Sequence, residues 1–102
     1  MGVRRSLPLI ACSLDGAGQR ARLAEWEELL VLAASRGEIS DGARYTFPAV
    51  DGMEERVRSL AQAEQECCSF FDFGVTVVGD HVEMTVVAPA DGQAALRYLF
   101  SP

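Results

Sequence analysis

Residues 63–73 read AEQECCSFFDF, with a carboxylate and two thiols set just before three phenylalanines. Glu64, Cys67 and Cys68 stand at i, i+3 and i+4, a spacing that gathers side chains on one side of a helix. The helical pattern they belong to runs Met53, Val57, Leu60, Ala61, Glu64, Cys67, Cys68, Phe71. Glu64 therefore interrupts an apolar stripe, whereas Glu54, Glu55 and Glu66 fall among the solvated acids. A carboxylate on a buried stripe must pair, coordinate a cation or take up a proton. Burial of Glu64 is expected, with retention of its proton unless an arginine pairs with it. Thiolates in turn select soft ions, with Hg(II), Cd(II), Zn(II) and Cu(I) the natural class.

Two adjacent thiols do not readily chelate one ion with ideal geometry, but one of them together with Cys12 could. Cys12 faces the same side of a first strand as Ile10 and Leu14. If the helix covers that side, three thiols and one carboxylate converge, enough for a three-sulfur site or for two sulfurs and one oxygen. Against this stands plain packing. Free cysteine is among the most buried residue types and behaves as a small hydrophobe. A C-C pair with no C-x-x-C and no histidine nearby is not a zinc spacing either. Phe70, Phe71 and Phe73 could line an apolar pocket against the thiols, or simply be core. His81, the only histidine, reads as an exposed loop residue, and Trp26 as a core anchor. There is no Ser-His-Asp set and no phosphate-binding glycine loop, so no catalytic residue is assigned.

The elements that must position these groups follow from periodicity. Leu7 to Leu14 reads as a strand, and Gln19 to Ser35 as a helix carrying Leu23, Trp26, Leu29, Leu30 and Ala33, closed by Gly37. Ile39 to Gly42 reads as a loop, and Ala43 to Phe47 as a half-buried strand stopped by Pro48. Asp51 is placed to cap the cysteine-bearing helix. Phe73–Val78 and Val82–Ala88 read as an antiparallel hairpin across Gly79-Asp80-His81, and Asp91 as the cap of a short last helix. The expected order is β-α-β-α-β-β-α. This is an α+β fold, a small sheet of about four strands with helices packed on it. One domain over 1–102 is expected, with an ordered core from about 7 to 100.

Composition narrows the partners. The 102 residues carry a net charge of -6, and all nine basic residues are arginine. An acidic domain without a basic recognition helix is a poor reader of DNA or RNA, so no direct nucleic-acid contact is expected. No apolar run is long enough to span a bilayer, so no membrane association is expected. The opening MGVRRSLPLIACSL has two arginines before an apolar run, but the run is short and no A-x-A site follows. It reads as a leader into the first strand, and the expected location is cytoplasmic. Three cysteines are an odd count in a reducing compartment, so all three are expected as thiols.

The segments ACSL (11–14), RLAEWEELL (22–30), GARYTFPA (42–49), LAQAEQECCSFFDFGVTV (60–77) and VEMTVVAP (82–89) together resemble a known family. It is a small domain common in actinobacteria, found alone or C-terminal to MerR-type helix-turn-helix regulators, which often respond to heavy metals. The resemblance covers about Leu9 to Phe100, and its most specific part is E-Q-x-C-C-x-F-F-x-F. The family's first-strand cysteine and its C-C pair match Cys12, Cys67 and Cys68; Ser69 stands where the family usually has proline. The resemblance implies a sensor or ligand-binding domain rather than a DNA reader.

Several functions compete on these grounds. The leading one is thiol-based binding of a soft, mercury-like divalent metal or organometal for sensing or sequestration, with Cys12, Cys67, Cys68 and Glu64 as ligands. A homodimer or an associated transcription regulator is the partner reading. An enzyme akin to organomercurial lyases would use the same parts, with thiolates holding mercury and an acid delivering a proton to carbon. A protein-interaction domain would use the cysteines as packing only. A thiol redox switch would need one exposed cysteine of low pKa.

Overall fold

The computed structural model describes residues 16–100. The strand expected over Leu7–Leu14, and Cys12 with it, lies outside the described residues. Within them the order is α1 (Gly16–Leu30), β1 (Ser35–Ile39), β2 (Gly42–Pro48), α2 (Met53–Cys67), β3 (Asp72–Val78), β4 (His81–Val87), one 3-10 turn (Ala90–Gly92) and α3 (Gln93–Leu99). The α+β class holds, with a four-stranded antiparallel sheet in the order β1-β2-β4-β3.

Period-two alternation explains why the sheet has one buried face. Ala43, Tyr45 and Phe47 of β2 point inward, as do Val82, Met84 and Val86 of β4. Register puts these sets opposite each other, Ala43 on Val86, Tyr45 on Met84 and Phe47 on Val82. The other face is polar at its centre, where Arg44 and Glu83 approach to 3.6 Å. The tight β3–β4 connection turns at Gly79, whose φ of 61° suits glycine.

β1 was expected as the end of a helix and a loop. Instead α1 stops at Leu30, and its last turn tightens into i→i+3 bonds, Leu32 N–H to Leu29 O and Ala33 N–H to Leu30 O. Arg36 then reaches back and donates to the Leu30 carbonyl at 3.0 Å, a cation on a helix C-terminus. Ala34 N–H goes to Thr46 O, which starts the pairing of β1 with β2. Gly37, expected as the helix stop, is an interior residue of β1 opposite Arg44. The cap expectations also change. α2 begins at Gly52, with φ 82° and no side-chain cap, rather than at Asp51. Asp91 lies in the 3-10 turn, and Gly92 precedes α3.

The helices fill the covered face around an aromatic cluster. Trp26 of α1 stacks on Phe73 and meets Phe100 edge-on with centroids 4.7 Å apart. Phe71 packs edge-on against Phe70, Phe73 and Phe100. On α2 the buried residues are Met53, Val57, Ala61, Glu64 and Cys67, all on the stripe read from the sequence, while Leu60 of that stripe is only partly buried.

Candidate metal centre

Glu64 and Cys67 lie one turn apart on the inward stripe of α2. Cys68 is no longer helical: with φ -124° and ψ 88° it leaves the helix, and its N–H closes the last turn on Glu64 O at 2.7 Å. Phe71 N–H to Cys68 O turns the chain toward β3 and drives the Phe71 ring into the core. This helix exit turns the Cys68 side chain inward, so both neighbouring cysteines are buried. A continuous helix would have pointed them about 100° apart. The Glu64, Cys67 and Cys68 donor atoms all lie within 4.8 Å of one another.

Glu64 is the one buried charged residue described, at 1% exposure. Its partners come from α1. Arg22 Nη1 donates to Glu64 Oε1 at 3.2 Å and Trp26 Nε1 donates to the same oxygen at 2.8 Å. Arg22 also pairs with Glu25 at 3.2 Å. The arginine allowed for in the sequence reading is therefore present, and the expected core anchor Trp26 has a second job as a hydrogen-bond donor. Sequence reasoning missed both partnerships. Their signal was Arg22 and Trp26 at i and i+4, which share one face of α1.

The cysteines differ in state. Cys68 is a free, fully buried thiol. Its pKa is pushed up to about 12, first by burial and then by the hydrogen bond to Glu64 and that group's charge, with Arg22 pulling the other way. Cys67 is engaged in a disulfide, which corrects the expectation of three thiols. That expectation rested on an assumed reducing compartment. The Cys67 and Cys68 sulfurs are 3.8 Å apart, nearly twice a bonded S–S length of about 2.05 Å, so they are not joined to each other.

The spacing is chemically usable once Cys67 is reduced. Two sulfurs on one tetrahedral ion at about 2.3 Å each sit about 3.8 Å apart, which is the separation observed. Glu64 would supply the oxygen. Cys12 lies outside the described residues. Of the expected pocket-lining residues, Phe71 is core, while Phe70 and Phe73 are partly buried against it. Phe73 also edges a groove with Ala61, Gln65 and Val75. His81 is an exposed residue opening β4, paired with Asp80. A redox role for Cys68 itself finds no support, since a buried thiol of raised pKa holds little thiolate.

No family, no curated protein and no solved structure matches the chain. Among the described residues, no helix is long and apolar enough to cross a membrane.

Proposed function

We propose that the protein binds a soft, mercury-like metal or organometal through Cys67, Cys68 and Glu64, with Cys12 as a further thiol donor, for sensing or sequestration. The observation that carries this reading is the convergence of two sulfurs and one carboxylate, all buried, within 4.8 Å. The likeness of the Glu64–Phe73 segment to domains attached to metal-responsive regulators supports a sensing role, with a regulator or a second copy of the chain as partner.

The test is calorimetric titration of the dithiol-reduced protein with Hg(II) against a competing thiol. Cys67→Ser and Cys68→Ser should each weaken binding at least tenfold, because a hydroxyl replaces the soft donor. Ser69→Pro should bind like the parent, since Ser69 is exposed and offers no ligand. If both cysteine variants and Cys12→Ser bind as the parent does, the cysteines are packing and the domain is an interaction module. That second reading has its own support in the fully buried Cys68 thiol, satisfied by Glu64 without any ion.

A further inference from the structure

Glu64 brings two carboxylate oxygens to the cluster, and they are not equivalent. Both donors from α1 settle on Oε1, Arg22 Nη1 at 3.2 Å and Trp26 Nε1 at 2.8 Å. A carboxylate oxygen has two lone pairs, so these two bonds fill Oε1 and leave Oε2 as the oxygen with room for a further partner. Neither donor is loosely held. Trp26 is fully buried, its ring stacked on Phe73 and edge-on to Phe100. Arg22 is tied on its other side, Nε to Glu25 at 3.2 Å. We propose that Arg22 and Trp26 are positioning residues for the metal site: they clamp Oε1, so that Glu64 meets the ion through Oε2 alone. This rests on the metal-binding reading above and adds the class of ion that the site takes.

A carboxylate free to turn can offer both oxygens to one ion, the mode common in oxygen-rich calcium sites. With Oε1 filled, the cluster instead presents one oxygen and the two sulfurs of Cys67 and Cys68, 3.8 Å apart. That donor set is sulfur-dominated and low in coordination number. It suits Zn(II), Cd(II) and Hg(II), and it fails Ca(II) and Mg(II), which need more oxygens than it supplies. The clamp also takes rotational freedom from Glu64 ahead of binding, so the ion does not have to order its ligand. Partners that orient a ligand in this way typically carry about 10–100-fold of a site's metal affinity.

The experiment uses the full chain, reduced with a dithiol and then freed of it, with Cd(II) as the probe. Difference infrared spectra of the parent with and without Cd(II) read the carboxylate directly. A one-oxygen ligand splits the two carboxylate stretches widely, and a two-oxygen ligand splits them narrowly. The wide splitting is expected, and the narrow one overturns the clamp. Affinity gives a second reading. Trp26→Phe keeps an aromatic ring in place and loses the N–H. Arg22→Lys keeps the charge but has a single head for two carboxylates. Each should weaken Cd(II) binding about tenfold, and neither should weaken it further in a Glu64→Gln background. An equal loss in both backgrounds assigns the two side chains to packing and overturns the proposal, as does parent-like binding by both variants. Circular dichroism checks that each variant is folded, and the infrared reading on the parent decides the matter if one is not. Cd(II) binding with no change in the carboxylate bands removes Glu64 and its clamp and leaves the thiols as the site. Failure of the reduced parent to bind either Cd(II) or Hg(II) overturns the metal-binding reading itself.

Discussion

Glu64 is the residue on which the site and the core both depend. Its carboxylate is withdrawn from water, and the cost is offset by Arg22, by the Trp26 N–H and by Cys68 beside it. Arg22 is the weaker-buried member of the pair, with 16% of its side chain exposed. Removing it should still strand a buried charge, a change that typically costs about 3–5 kcal/mol for a fully buried pair. Partial exposure of Arg22 puts Arg22→Met near about 3 kcal/mol, the low end of that range. Adding Glu64→Met should recover most of the loss, because an apolar pair leaves no charge unanswered. Urea denaturation of the single and double variants measures both. A double variant no more stable than Arg22→Met would mean that the arginine acts by packing over the helix pair.

At the scale of elements, the helix end and the first hairpin are where pattern and structure part. Ser35-Arg36-Gly37-Glu38-Ile39 has neither alternation nor a run of β-branched residues, so nothing local marks it as a strand. It becomes one because β2 offers a free edge on which β1 can pair, from Ser35 opposite Thr46 to Ile39 opposite Gly42. Two glycines flank this hairpin in different circumstances. A side chain at Gly37 would meet nothing within 4 Å, whereas a Cβ at Gly42 would fall 1.8 Å from the Val86 carbonyl of β4. Gly37→Ala should therefore leave stability within about 0.5 kcal/mol. Gly42→Ala should cost about 2–3 kcal/mol or more, since backbone rather than a pliable side chain must move. Thermal melts of the two variants decide this. Equal melting points would show that the β2–β4 ladder yields at little cost.

The whole molecule couples the buried thiol to stability through pH. Cys68's folded pKa of about 12 lies above its ordinary value of 9.0, so folding favours the protonated thiol. Its contribution is complete below pH 9.0 and is lost as pH rises toward about 12. Tyr45, whose pKa burial also raises, adds a loss of the same sign above 10.0. The denaturation midpoint should thus fall between about pH 9 and 11, and fall less steeply in Cys68→Ala than in the parent. Parallel slopes would mean that Cys68 ionises alike in the folded and unfolded chain. The amino-acid sequence by itself determined the α+β class, the inward stripe of α2, the β3–β4 hairpin and the meeting of Glu64 with Cys67. Each follows from local periodicity and turn chemistry, and side chains at i and i+3 meet wherever a helix forms. Cys68 joins them because the chain leaves the helix there. Tertiary structure alone decided β1, which exists only by pairing, and the Arg22 and Trp26 bonds to Glu64, which span 42 and 38 residues of chain. It also decided that Cys67 and Cys68 differ in state. A thiol's state depends on which sulfur, charge and ring the fold brings beside it, and no periodicity within a single helix encodes that.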